Sequence, residues 1–225
     1  MPSERTITPP ASILQVEPVA PVADAVRKLF ATTGRAFWLA ASPDLGTYQP
    51  ALLAVSYRPE VTRLAALSGI DADVLATIRR SGRVRAETIA TRLQRPVEQI
   101  RRQLDRLRER ELASVNDKNR YTLTEICRTI LFDVVSVERL VGGWKPTLRR
   151  AVHNRNLAHR SFVIASGKKA AALANEEAFE TFGIGILACD AEADATIFKP
   201  AARSTPFAWE SYFQLGRLTA KAVAG

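Results

Sequence analysis

Part-way along the chain the sequence changes texture. Short apolar runs of strand length occupy residues 35–57 and 130–199. Between them, from about Val61 to Thr124, apolar residues recur at helical spacing on segments loaded with arginine. A chain patterned this way folds a sheet with helical connections and sets a separate helical module into it. The charge follows the same division. From Arg79 to Arg120 there are 13 Lys and Arg against 6 Asp and Glu, a net of +7, whereas all 225 residues together carry +9. So concentrated a cationic segment is the footprint of a module that neutralises phosphates, because each phosphate contact releases condensed counterions.

Composition narrows the classes further. Hydrophobic residues make up 47% of the chain and charged residues 24%, too apolar for a chain disordered throughout. No apolar run reaches the length needed to span a bilayer. The opening MPSERTITPPASILQ lacks the basic-then-apolar order of a secretory signal. Two cysteines, Cys127 and Cys189, are too few for a disulfide framework. A reduced, cytoplasmic protein is expected, nucleoid-associated if the cationic segment takes the phosphates of DNA. Five prolines among the first 21 residues read as a flexible arm.

The remaining elements follow from periodicity. Val22–Phe30 reads as a helix closed near Gly34; Arg35–Ala41 and Ala51–Tyr57 read as strands. Asp71–Arg80, Ala86–Leu93 and Pro96–Arg110 read as helices, the last with Val97, Ile100, Leu104 and Leu107 on one face and Pro96 at its start. Leu112–Val115 and Arg120–Leu123 flank a polar turn and read as a hairpin. Beyond them come strands at Ile130–Glu138, Ser161–Ala165, Ile184–Cys189 and Ala195–Lys199, the last two forming a hairpin around residues 192–194. Helices are expected at Thr147–Leu157, Lys168–Phe182 and Trp209–Leu218.

Three helices with a short turn between the last two, followed by a hairpin, resemble a winged helix-turn-helix domain over about 55 residues. The phrase LDRLRERELASVNDKNRYTLTE is similar to the recognition-helix-and-wing ending of many bacterial regulators. The resemblance implies that the Pro96–Arg110 helix enters the major groove with its N-terminal half near base edges. Gln99, Arg101 and Arg102 are then the base-edge candidates, since Arg can bridge guanine and Gln adenine. Arg95, Arg106, Lys118 and Arg120 become phosphate or wing contacts that position without specifying. Glu98 and Asp105 on the same helix would repel phosphate if they faced it.

With residues 61–124 set aside, the order of the rest resembles the restriction-endonuclease-like PD-(D/E)xK core, most closely from Asp133 to Pro200. That resemblance implies an α/β (α+β) fold, a mixed sheet flanked by helices. The division is residues 22–60 and 125–225 for the core and 61–124 for the inserted winged domain. Members carry a Glu-x-Lys on the third strand and an Asp on the strand before it, holding Mg²⁺ and steadying the attacking hydroxide. Here Glu138 supplies the Glu, but Leu140 stands at the Lys position and Ala51 at the Asp position. Asp44, Asp133 and Lys145 are the residues that could substitute by migration, although each also reads as a turn, strand-edge or helix-start residue. The chain is therefore expected to lack catalysis and to need no cofactor or metal.

No other motif carries chemistry. His153 and His159 lie six residues apart with no thiol beside them, which is not a zinc spacing. Ser166-Gly167-Lys168-Lys169 lacks the glycine spacing of a phosphate loop and reads as a helix start. Trp38, Trp144 and Trp209 read as core or interface anchors. No small-molecule ligand is evident. The expectation is a double-stranded DNA-binding protein, a bacterial transcriptional regulator, with no membrane association. A homodimer is expected because two half-sites supply the specificity one helix lacks, with Trp209–Leu218 as a dimer face. Two other readings stand beside it: a metal-dependent nuclease with migrated ligands serving repair or phage defence, and a protein-docking adaptor.

Overall fold

The computed structural model describes residues 20–31, 35–190 and 195–224. Most of the N-terminal arm, Gly34 and the 192–194 turn lie outside these residues. The described residues fall into two compact units: those of Met1–Tyr57 with Asp133–Phe207, and those of Arg58–Phe132 with Ala208–Gly225.

The first unit is a mixed α/β layer structure. It contains α1 (Ala20–Phe30), β1 (Ala36–Ala41), β2 (Leu52–Tyr57), α6 (Trp144–Asn154), β6 (Arg160–Ala165), α7 (Gly167–Ala174), α8 (Glu177–Thr181), β7 (Gly185–Ala188) and β8 (Thr196–Lys199). With β5 (Leu131–Arg139) these strands form one sheet in the order β1-β2-β5-β6-β7-β8. β5, β6 and β7 run parallel, while β1 is antiparallel to β2 and β8 to β7. The parallel pairs need helical crossovers, which α6 and the α7–α8 pair supply.

The period-2 alternation of each strand divides the core between two faces. Val135, Val137, Phe162, Ile164 and Leu187 pack with Val26 and Phe30 of α1. Val163, Ala165 and Ile186 pack with Leu148 and Ala151 of α6, Leu173 of α7 and Phe179 of α8. The same parity turns Ser136 and Glu138 toward α6, away from the α1 face. The segment expected as one helix from Lys168 to Phe182 is two, interrupted at Asn175-Glu176, where Glu176 already has extended backbone angles.

The second unit holds α2 (Gly69–Ser81), α3 (Ala86–Leu93), α4 (Val97–Glu109), β3 (Ala113–Val115), β4 (Tyr121–Leu123), the short α5 (Glu125–Arg128) and α9 (Trp209–Ala224), plus a 3₁₀ turn at Pro59–Leu64. α2 starts in a reciprocal cap: the Asp71 carboxylate accepts from the Ser68 N–H at 2.7 Å, and the Asp71 N–H donates to Ser68 Oγ at 3.2 Å. Ile78, Ile89, Ile100, Leu104 and Leu107 are fully buried where α2, α3 and α4 meet.

The expected division changes at its C-terminal end. α9 does not belong with the α/β core; it packs on α2 and on the 3₁₀ turn. Tyr212, Phe213, Leu215 and Ala220 are buried, Arg79 lies over the Trp209 ring at 4.6 Å, and the Tyr212 hydroxyl donates to the Leu131 carbonyl at 2.9 Å. Gly216 permits the approach, since a Cβ there would stand 2.5 Å from Leu64 Cδ1. The apolar side of α9 is thus used within its own chain, so the Trp209–Leu218 stripe is not a free dimer face.

Candidate functional site

The helical unit presents α4 on a preorganised frame. α3 ends at Gln94 in the left-handed conformation (φ 51), and the Arg95 N–H donates back to the Ala90 carbonyl at 3.0 Å. Pro96 then opens α4, where its missing N–H costs nothing. Val84, between α2 and α3, exchanges two backbone hydrogen bonds with Tyr121, at 3.0 and 2.7 Å, and so extends the β3–β4 hairpin by one residue on the side of β4. The hairpin turn is tight: Asn116 Oδ1 accepts from the backbone N–H of Lys118 at 3.1 Å and of Arg120 at 3.0 Å, with Asn119 left-handed. Both basic side chains at this tip are exposed.

On α4 the buried residues are Ile100, Gln103, Leu104 and Leu107. Gln103 escaped the sequence reading because its amide is polar; it is buried with Arg106 donating to its Oε1. Val97, expected inside, is only half-buried. Opposite the buried face, Glu98, Arg102, Asp105 and Glu109 fall on one line at spacings of four, three and four residues. Arg101 and Arg108 flank it on one side, Gln99 and Arg106 on the other.

The candidate side chains meet unequal fates. Arg95 and Arg102 are exposed, and Arg102 forms no ion pair among the described residues. Gln99 is half-buried. Arg106 is 3.8 Å from the buried Asp71 carboxylate, tying α4 to the start of α2. Arg101 sits between two carboxylates, 2.8 Å from Glu87 of α3 and 3.2 Å from Glu98. Glu87 is held below its ordinary pKa by its own backbone N–H and by the Arg101 guanidinium. Both carboxylates that would repel phosphate are bonded three residues on, Glu98 to Arg101 and Asp105 to Arg108 at 3.4 Å. The pairing with Glu87 crosses fourteen residues and two helices, beyond any local pattern.

The α/β unit holds the second candidate position. Glu138 is 3% exposed. Its Oε2 accepts from Arg150 Nε at 3.1 Å and its Oε1 from Asn154 Nδ2 at 2.7 Å, both partners on α6. The Ala51 backbone also hydrogen-bonds to it, which places position 51 beside Glu138. Burial pushes the Glu138 pKa up, against the pull of Arg150.

This set does not fit a divalent cation. A guanidinium and an amide occupy the carboxylate's oxygens, position 51 offers no side-chain oxygen, and Leu140 is apolar. Nor do the migration candidates converge. Asp44 caps its own turn through the Gly46 N–H at 3.0 Å. Asp133 is paired with Arg160 and with Arg203 at 3.7 Å. Lys145 lies 5.6 Å over the Trp144 ring. Among the described residues no group of three or more His, Cys, Asp or Glu could hold a metal ion.

The two histidines and Gly167 have structural partners. His153 stacks on Tyr48 with ring centroids 4.6 Å apart, while His159 Nδ1 accepts from the Val134 N–H at 3.0 Å. Gly167 begins α7, its N–H donating to Asp190 at 3.0 Å. Burial raises the Cys127 thiol to about 12. No described helix is long and apolar enough to cross a membrane. Comparison of the chain with protein-family models, curated proteins and solved structures finds no match.

Proposed function

We propose that this chain is a double-stranded DNA-binding protein, a bacterial transcriptional regulator acting as a homodimer. Its helical unit is the reading head and its α/β unit a scaffold of catalytically degenerate, restriction-endonuclease-like descent. The observation that carries this reading is the order α2, Val84 bridge, α3, α4, β3–β4 hairpin, with exposed cations on α4 and at the hairpin tip. That order is the one a winged helix-turn-helix uses to lay its last helix in the major groove. Arg102 is the strongest base-edge candidate and Lys118 and Arg120 the phosphate contacts. The order α1-β1-β2-β5-α6-β6, with Glu138 near the end of β5 and Ala51 beside it, supports the nuclease-like descent, and the Arg150 and Asn154 bonds support its loss of chemistry.

A gel-shift series on random-sequence duplex DNA between 50 and 200 mM salt tests the reading. Affinity is expected to fall steeply with salt, as counterion release requires. No binding at the lowest salt sinks it. A second reading is a protein-docking adaptor, favoured by one observation: Glu98, Asp105 and Glu109 share the outermost line of α4 with Arg102. It predicts that α4 binds a basic protein surface and leaves DNA alone.

A further inference from the structure

We infer that the groove between α6 and α8 binds a small anionic amphiphile, an aromatic or acyl monoanion. The inference is independent of DNA binding. Trp144, Leu148 and Val152 recur every four residues and form an apolar row along α6. Lys145 and Arg149 form a second row one residue further round. Ala178 and Phe182 close the other side, leaving a cavity of about 350 Å³. That lies within the range of small-ligand sites, and the apolar row spans about 12 Å of helix.

The lining is unusually apolar for a surface. Phe182 is 44% exposed, and its carbonyl is fixed by Arg155. The Trp144 ring is half-buried and tilted on buried Phe179, ring centroids 6.0 Å apart, so the wall is held rigidly from beneath. The two cations at the rim are exposed, and neither forms an ion pair among the described residues, although α8 carries Glu177 and Glu180. Instead Lys145 lies over the Trp144 ring. An apolar slot flanked by two uncompensated positive charges matches a ligand with an apolar body and one anionic head. A neutral ligand would leave the charges unused, and a free inorganic anion would leave the apolar row wet.

Two probes of nearly the same ring framework separate these cases: 8-anilinonaphthalene-1-sulfonate, an anion, and N-phenyl-1-naphthylamine, which is uncharged. The expected result with the full chain is one sulfonate site per chain. It should bind at least tenfold tighter than the neutral probe and receive excitation energy from Trp144, so that Trp144→Phe reduces the transfer. Lys145→Glu combined with Arg149→Glu should remove the tenfold preference and leave the neutral probe unaffected, with far-ultraviolet circular dichroism and melting temperature unchanged. Val152→Trp, filling the floor, should abolish binding of both probes. Equal affinity for the two probes overturns the inference, as does undiminished sulfonate binding by the charge-reversed variant. Transfer unchanged in Trp144→Phe overturns it too, because the probe would then lie elsewhere.

Discussion

Arg150 and Glu138 meet on the α6 side of the sheet, Nε to Oε2 at 3.1 Å. The contact is asymmetric: the Glu138 side chain is 4% exposed, that of Arg150 48%. The carboxylate therefore loses most of its hydration while its partner keeps much of its own, and desolvation outweighs the attraction, raising the Glu138 pKa. A nuclease glutamate needs its oxygens free for a metal. This one spends them holding a helix to a sheet.

Glu138→Gln should stay within about 1 kcal/mol of the native chain, because the amide oxygen still accepts from Asn154, whereas Glu138→Ala should lose about 1–3 kcal/mol by leaving the buried Asn154 amide unpaired. The pH dependence has a definite sign. A carboxyl whose folded pKa is raised contributes stability that is full below its unfolded value, 4.5, and lost as pH rises through the folded one. The Gln variant does not titrate, so it should gain on the native chain as pH increases from about 4.5. Urea midpoints at pH 4, 5.5 and 7 check both statements. A Gln variant as unstable as the Ala one would mean that charge, not hydrogen bonding, holds this position.

Asp71→Ala removes the carboxylate that caps α2 and faces Arg106 of α4. The Asp71 N–H still donates to Ser68 Oγ in that variant, so loss of the carboxylate's half of the reciprocal cap costs about 1 kcal/mol. Asp71→Asn should restore most of it, since an amide oxygen can still accept from the Ser68 N–H. Denaturant unfolding distinguishes the two. If Asn falls as far as Ala, the Arg106 charge contact dominates over the cap.

In DNA binding, Arg102→Ala should cost about 1–3 kcal/mol and relax preference at one base pair. Lys118→Ala and Arg120→Ala should weaken all sequences alike and each reduce the salt slope by about 1. Arg101→Ala should cost less than Arg102→Ala, because Arg101 must first leave Glu87 and Glu98. Glu87→Gln should correspondingly tighten binding. Titrations at two salt concentrations with matched and scrambled duplexes measure each effect, and an Arg102→Ala protein that binds as tightly as the native chain would move the reading surface off α4.

How far the sequence carried this picture depended on the range of the cause. α3 runs from Ala86 to Leu93, as its periodicity predicts, and the α2, α4, β3 and β4 bounds differ from expectation by one or two residues. These elements are long enough, or punctuated strongly enough by Gly82, Pro96 and Asn116, for local propensity to decide. The 3₁₀ turn at Pro59–Leu64 and α5 are too short to show a period. α9 reads as a helix from its own residues, but its allegiance rests on Gly216 admitting Leu64, which no local pattern reveals. At the candidate sites the residue types were legible and their partners were not. Arg101 read as an available cation until Glu87 was brought beside it. Glu138 read as a stranded motif residue until Arg150 and Asn154, four apart on α6, closed over it.

His159 supplies an acid-sensitive joint in the sheet. Its backbone N–H donates to the Val134 carbonyl at 2.8 Å while its Nδ1 accepts from the Val134 N–H at 3.0 Å, so the ring must be unprotonated at Nδ1. Burial lowers its pKa to about 4, against the opposing pull of Asp133. A histidine depressed in this way contributes stability that is complete above its unfolded value, near 6.5, and is lost as pH falls toward 4; below that, both states are protonated and the loss stops. With allowance for the ring's partial exposure, the loss over this window should be on the order of 2 kcal/mol. His159→Asn retains an acceptor for the Val134 N–H but cannot titrate. Its stability should therefore fall less than that of the native chain between pH 6.5 and 4.5 when both are followed by urea unfolding. Parallel pH profiles for the two proteins would show that protonation of His159 does not drive the loss.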